Sequence, residues 1–282
     1  MDAACLENRL TGEEKSKFER DGFLIIEDAI PPERVSALTL VVDGLYETYL
    51  AENGLGSGER MNLTDFVGRD DEFLALLDWP VTFSKVWGIL GWNIQLYHSH
   101  LIVTPPEPPD KRSYSGRLGW HQDSGRLNME LDATPRPRVS LKVGYFLTDT
   151  TRPDRGNFHI VPGSHLKNRL DLPDGGASDP PGTTPVLAPA GSAVFFDRRL
   201  WHAAGRNHSD VTRKVLFYGY SYRWLRPRDN MTVAHCMGRC DPVQRQLLGE
   251  STGGMGYTSP TDADVPLKGW IREHAGEEAV AP

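Results

Sequence analysis

Cysteine is scarce. Cys5, Cys236 and Cys240 are the only three among 282 residues. That excludes a disulfide framework and makes a reducing compartment the default. No run of about 18 apolar residues occurs, so no membrane-spanning helix is expected. The N-terminal stretch MDAACLENRLTGEEKSKFERDG is charged and lacks the apolar stretch of a secretory signal, so a cytoplasmic location is expected. The sequons at Asn62, Asn207 and Asn230 then read as chance. Basic residues are outnumbered, 31 Lys and Arg against 38 Asp and Glu, for a formal net charge of −7. That argues against nucleic acid or an anionic membrane as partner and leaves the sign of a small pocket open. No internal repeat and no low-complexity tract is present.

What is there reads as an ordinary globular chain, with 39% hydrophobic and 24% charged residues. Its length allows a sizeable core without staples, as one large domain or two small ones. Thr11-Gly-Glu-Glu14 is a capping box that opens a helix to about Arg20, stopped by Asp21-Gly22. Phe23 to Ile26 is a compact strand. Pro31-Pro32 opens a longer helix, with Val35, Leu38, Val41, Val42, Leu45 and Tyr49 at helical spacing. Further helices are expected over 70–77 and 80–90. The texture then turns to strands: Asn93 to Val103, Arg138 to Leu147, Phe158 to Val161, Ala193 to Phe196 and Lys214 to Tyr222. Arg138 to Leu147 alternates like a strand with one polar and one apolar face. Pro/Gly-rich loops at 104–110 and 172–185 separate these strands, a pattern that suggests a sandwich or barrel. Asp241 to Leu248 is a candidate helix, and the tail from Gly276 reads as loose.

The chemistry gathers around GWHQDSG, Gly119 to Gly125, where His121 and Asp123 stand two apart. On a strand that spacing puts both side chains on one face. Imidazole and carboxylate suit Fe(II) and other first-row divalent metals, although a lone His-x-Asp is easily met by chance. The bland reading is a loop histidine with a solvated partner. A third ligand is offered by His202, at the exit of the strand in GSAVFFDRRLWH. Two histidines and a carboxylate form the facial set of non-haem Fe(II) oxygenases, which leaves open positions on the metal. Arg213 follows eleven residues later. A guanidinium deep in the same barrel suits a dicarboxylate co-substrate, because it binds carboxylate in a bidentate fork. The alternative for Arg213 is a structural ion pair.

Four segments in order resemble the phytanoyl-CoA dioxygenase family of Fe(II)/2-oxoglutarate-dependent oxygenases. They are FERDGFLIIEDAI, WHQDSG, GNFHIVPGSH and the block from Gly191 to Trp224. WHQD followed by PRVSLKVGYFLTD is loosely similar to the ectoine-hydroxylase branch. Where that branch carries glutamine and arginine before His-x-Asp, this chain has His98 and His100. The resemblance implies a mostly β fold with flanking helices: a double-stranded β-helix (jelly-roll, cupin-like) core with a helical N-terminal part. On that reading the chain is a single domain over 1–282. Residues 1–92 form a mainly helical support, 93–228 the core with the metal site, and 229–282 a C-terminal extension.

The same resemblance implies Fe(II) on His121, Asp123 and His202, with 2-oxoglutarate and O₂ as co-substrates and Arg213 on the far carboxylate. It implies oxidation of an unactivated C–H bond of a small molecule, with succinate and CO₂ as co-products. Halogenating relatives have a small residue in place of the carboxylate, so Asp123 implies hydroxylation, or another oxidation such as desaturation or ring closure. Ala204 departs from the hydroxyl residue common two positions after the distal histidine. Val161-Pro-Gly-Ser-His165 implies a turn near the site.

Other residues have two readings each. Lys142 and Ser140 share a strand face that either lines the cavity, with Lys142 a second candidate for the co-substrate, or is solvated. His98 and His100 either contact substrate or are structural. Trp120 either flanks the pocket or is core. Ser124, beside the motif, is a candidate substrate contact, and Arg112, Arg117 and Arg126 either meet an anionic substrate or are solvated. His235, Cys236 and Cys240 lack the fourth ligand of a structural zinc site. The aromatic run from Phe217 to Trp224 reads as barrel wall in an acidic chain. The competing functions are a non-catalytic ligand-binding barrel and a protein or peptide hydroxylase.

Overall fold

A computed structural model of the chain describes residues 1–108, 118–176, 178–258 and 261–280. Helix α1 (Gly12–Asp21) begins at the expected capping box. Thr11 Oγ1 accepts from Glu14 N, and the Glu14 carboxylate accepts from Thr11 N. It ends at Gly22, whose φ of 82° is left-handed. Glycine is required there twice over, since a Cβ would lie 2.5 Å from His165 Nδ1. Strand β1 (Phe23–Ile26) follows, then α2 (Pro32–Glu52) with proline in its first turn. Leu38 and Val42 form the buried stripe of α2, and Val35, Val41, Leu45 and Tyr49 pack at its margins.

After β2 (Met61–Thr64) come two short helices, α3 (Asp71–Leu74) and α4 (Phe83–Leu90). Both are shorter than the sequence predicts. Leu76 N and Leu77 N bond tight turns rather than continuing α3, and α4 starts only after Thr82 N and Phe83 N have turned onto Trp79 O. The strands are β3 (Ile94–Thr104), β4 (Leu118–His121), β5 (Ser140–Phe146), β6 (Phe158–Ile160), β7 (Thr184–Pro185), β8 (Ala193–Asp197), β9 (His202–Ala204) and β10 (Arg213–Tyr222). Helix α5 (Gly125–Glu130) lies between β4 and β5.

The chain is therefore mostly β with flanking helices. Two sheets form, one of six strands in the order β1-β8-β5-β10-β3-β2 and one of four in the order β4-β9-β6-β7. Every pairing is antiparallel.

Side-chain alternation divides the large sheet into two buried faces. Leu141, Val143, Tyr145, Leu216, Tyr218 and Tyr220 face a core shared with the helices. Phe146, Val194, Phe196, Val215 and Phe217 pack with Phe158 and Ile160 of the small sheet. The tyrosines on the helical side are satisfied: Tyr218 donates to Phe73 O and Tyr220 to Leu77 O, each at 2.7 Å, and Tyr145 bonds Thr82 Oγ1 at 2.6 Å. Each such bond contributes about 1 kcal/mol net, and an orphaned hydroxyl there would cost more. The aromatic strand is thus wall. Of the two readings of the Ser140–Lys142 face, the solvated one fails: all seven residues of β5 are buried. Its polar face points between the sheets, where Ser140 and Lys142 are enclosed.

At the C-terminal end, α6 (Pro242–Leu247) has a second capping box, from Asp241 and Gln244. Helix α7 (Pro266–Ala275) closes the chain. The tail is not loose up to Val280. Residues Glu277–Val280 form a turn, Val280 is buried, and its carbonyl accepts from Trp92 Nε1 at 3.1 Å. No helix among the described residues is long and apolar enough to cross a membrane.

Candidate metal centre

Strands β4 and β9 pair so that His121 lies opposite His202. The ring centroids are 4.3 Å apart. Gly119, with φ of 65°, allows the irregularity that turns His121 toward its partner. Asp123 does not reach the pair by strand alternation. Strand β4 ends at His121, and Asp123 lies in the turn before α5, followed by Ser124 at φ of 61°. Two hydrogen bonds fix this turn: Asp123 N donates to Arg198 O at 2.9 Å, and Asn128 Nδ2 donates to Asp123 O at 2.8 Å. The ligand atoms of His121, Asp123 and His202 all lie within 4.8 Å of one another, the one such cluster among the described residues.

The donor set fits a divalent metal. Nδ1–H of His121 donates to Gly119 O at 2.9 Å, and Nδ1–H of His202 to Leu200 O at 2.8 Å. Each Nε2 is then left as a bare lone pair, the tautomer that metal ligation needs. Burial pushes His202 down to about 4, against the pull of Asp123, so it is neutral at pH 7. Asp123 Oδ1 accepts from Lys142 Nζ at 2.9 Å. Its Oδ2 is buried without any hydrogen-bond partner. Burial alone would raise this carboxyl, but the Lys142 ammonium and the two imidazoles hold it well below the usual carboxylate range. Lys142 is itself raised: burial pulls it down, but the charge and hydrogen bond of Asp123, with Tyr97 beside it, together outweigh that. An ionised, buried oxygen with no partner is costly unless a cation meets it.

The triad opens into a cavity of about 260 Å³, also lined by Arg60, His100, Lys142, Ala204, Arg213 and Arg228. Phe158 and Phe196 flank His202 at 5.1 and 5.2 Å between ring centroids. Arg213 is buried, its Nε has no partner, and its guanidinium stacks 5.5 Å from the Phe146 ring. Burial first, and then the neighbouring Arg60, push it down to about 9, so it stays charged at neutral pH. The structural ion-pair reading therefore finds no carboxylate beside Arg213 among the described residues.

Arg60, just before β2, also has an unpartnered buried Nε. Sequence reasoning missed it, because nothing in Gly-Glu-Arg-Met distinguishes it from a loop arginine. A second space, of about 450 Å³, adjoins the first through Asp123 and Arg228 and is lined by Ser124 and Arg126 among others.

The remaining sequence candidates separate. Lys142 lines the cavity, with its ammonium engaged by Asp123. His100 lines the cavity too, bonded through Nε2 to Asn62 Oδ1. His98 lines neither space. Its ring is committed to Asp229 and Arg228. Trp120 is core, packed with Val161 and Ala203 and donating through Nε1 to Asp179 at 3.2 Å. The Val161–His165 turn is structural: His165 Nε2 bonds Glu19 O at 3.1 Å, and Ser164 Oγ accepts from Trp201 N at 3.0 Å, next to His202. Arg112 and Arg117 lie outside the described residues. Cys236 and Cys240 are buried free thiols, and His235 bonds Gly68 O at 2.8 Å.

A sequence profile described as phytanoyl-CoA dioxygenase (PhyH) matches residues 18–215. The chain belongs to the phytanoyl-CoA dioxygenase family. It is an oxidoreductase, a dioxygenase dependent on Fe(II) and 2-oxoglutarate. Among its relatives, the uncharacterised protein Rv1501 of Mycobacterium tuberculosis is 28% identical over 204 residues, 71% of each chain. An ectoine dioxygenase of Stutzerimonas stutzeri is 25% identical over 251 residues, covering 77% of this chain and 79% of the relative. The fold is shared with HygX of Streptomyces hygroscopicus, solved with nickel and 2-oxoglutarate bound. The TM-score is 0.61 at 18% identity, over 78% of this chain and 90% of HygX.

Proposed function

We propose that this dioxygenase hydroxylates an unactivated C–H bond of a small-molecule substrate, with Fe(II) held by His121 Nε2, His202 Nε2 and Asp123 Oδ2. The observation that carries the reading is the ionised, buried and unpartnered Asp123 Oδ2 beside two imidazoles whose Nδ1–H groups are already donated. The antiparallel sheets that face each other around the triad are read as a double-stranded β-helix spanning 93–228, braced by 1–92 and extended by 229–282. The relative named for ectoine supports a small substrate.

Bound iron would supply the oxidising power, by coupling O₂ and the decarboxylation of 2-oxoglutarate to attack on the C–H bond. The protein supplies the rest. Arg213 binds the far carboxylate of 2-oxoglutarate, and its unpaired guanidinium in a dry site makes that pairing strong. Arg60 adds a second positive charge on the same cavity. Lys142 holds Asp123 ionised and in one orientation. Phe158 and Phe196 exclude water from the His202 side.

The test is succinate formation from 2-oxoglutarate with Fe(II), ascorbate and O₂, compared between wild type and His202→Ala. Wild type should form succinate and the variant none above background. Tight iron and 2-oxoglutarate binding with no succinate under any substrate would instead mark a non-catalytic binding barrel.

A further inference from the structure

We propose that Arg228 is the anchor for an oxyanion on the substrate, so that this site takes a substrate bearing a carboxylate or phosphate group. That the bound molecule is a substrate rests on the oxygenase reading; the anchor itself rests on geometry. Arg228 and Asp123 are the two residues that line both the metal cavity and the adjoining 450 Å³ space. A group bound at Arg228 therefore sits at the border between the metal centre and the outer recess.

The arginine is held there by buried scaffolding. Its Nη1 donates to His98 Nε2 at 3.2 Å, and His98 Nδ1–H donates to Asp229 Oδ1 at 2.6 Å. Asp229 Oδ2 in turn accepts from Ser99 N at 2.6 Å and Ser99 Oγ at 3.2 Å. The backbone is pinned as well, since Arg228 N and Asp229 N both donate to Tyr97 O, at 2.8 and 3.3 Å. His98 is 1% exposed, whereas Arg228 is exposed to the cavity. A buried His–Asp pair is expensive to desolvate. Here it accepts one N–H of a guanidinium and leaves the other donors facing open space. No carboxylate among the described residues pairs with Arg228.

The charge of the recess agrees. Arg226 lines it too, as does Arg126, which is paired with Glu130 at 2.7 Å. The carboxylate in its wall is Asp123, already committed to Lys142. A cationic recess in a chain of net charge −7 favours an anion, and Tyr97, Leu127 and Leu225 offer apolar wall for the rest of the molecule.

The experiment uses the full chain with saturating Mn(II) and 2-oxoglutarate, so that Arg213 and Arg60 are filled. Inorganic phosphate and propionate are titrated separately by calorimetry. At least one should bind saturably, and which one assigns the group as phosphate or carboxylate. Arg228→Gln should weaken that binding by about tenfold or more. Asp229→Asn should weaken it several-fold by freeing His98, and Asp229→Glu should recover part of the loss, with Mn(II) binding reporting an intact fold. No saturable binding of either anion, or Arg228→Gln binding like wild type, overturns the proposal. Failure of wild type to bind Mn(II) and 2-oxoglutarate would sink the oxygenase reading instead. The same anion titrations without them would then still decide Arg228.

Discussion

Lys142 Nζ sits 2.9 Å from Asp123 Oδ1 and leaves Oδ2, on the same carboxylate, buried with no partner. One lysine thus does two things: it keeps the carboxyl ionised and, by engaging Oδ1, it leaves Oδ2 free to meet a cation. Lys142→Met should therefore act through the metal. Loss of a hydrogen bond to a metal ligand typically costs about 10–100-fold in metal affinity. Mn(II) titration should show that loss, with a smaller shift in the 2-oxoglutarate midpoint once metal is saturating. The reverse pattern would mean that Lys142 holds the co-substrate.

His121→Ala and His202→Ala should each abolish stoichiometric iron at micromolar metal, because two remaining ligands hold a divalent cation poorly. Metal content after gel filtration measures this. His121 is exposed and its removal should leave the melting temperature close to wild type. His202 is buried between Phe158 and Phe196, so its removal should also open a cavity and lower stability by roughly 1–3 kcal/mol. Iron retained in either variant would remove that residue from the ligand set.

Arg213→Ala should raise the half-saturating 2-oxoglutarate concentration far more than that of the metal. Loss of a buried charge-assisted pair typically costs about 2–5 kcal/mol, or roughly 30- to several-thousand-fold. Arg60→Ala should show a smaller shift of the same sign, because its positive charge lines the same cavity. Isothermal titration of the Mn(II)-loaded proteins separates the two. Equal shifts would make them partners in one carboxylate clamp, and no shift at Arg213 would transfer the role to Arg60.

Legibility in the sequence followed locality. Thr11–Glu14, Gly22, Pro32 and the hydrophobic spacing of α2 announce themselves because caps and periodicity act within a few residues. His121, Asp123, His202 and Arg213 were legible through motif order, and the structure brings them to one cavity. Asp123 arrives by a turn rather than by strand alternation. A turn locked by Asn128 and Arg198 O brings it in, and those contacts span up to 75 residues, beyond any local pattern. The same holds for Arg60 and for the Arg228–His98–Asp229 chain. Their partners are 130 or more positions apart in the latter case, and their isolated codes look like solvated loop charges. The buried polar face of β5 was ambiguous for another reason: period-two alternation gives the face but not what covers it.

Asp197 is fully buried at the end of β8. It accepts from Arg199 N, Nε and Nη2 at 2.7–2.9 Å and from Arg138 Nε at 2.7 Å. Arg138 also binds Glu19 on α1 at 2.8 Å, so the carboxylate ties the helix to the turn that carries His202. Burial alone would raise Asp197, yet the bonds to Arg199, followed by the charges of Arg199 and Arg138, hold it below the ordinary carboxylate value. A depressed folded value means stability that is fully present above the unfolded value, about 3.9, and lost as pH falls through the folded one. Asp197→Asn should therefore destabilise the protein at pH 7 by roughly 3–5 kcal/mol, as expected for breaking a buried pair. The gap between variant and wild type should narrow steadily below about pH 4, because wild type then loses the same charge by protonation. Urea unfolding of both proteins at stepped pH from 7 to 3 measures the gap. A gap that stays constant across that range would mean that Asp197 acts through its shape and neutral hydrogen bonds rather than through its charge.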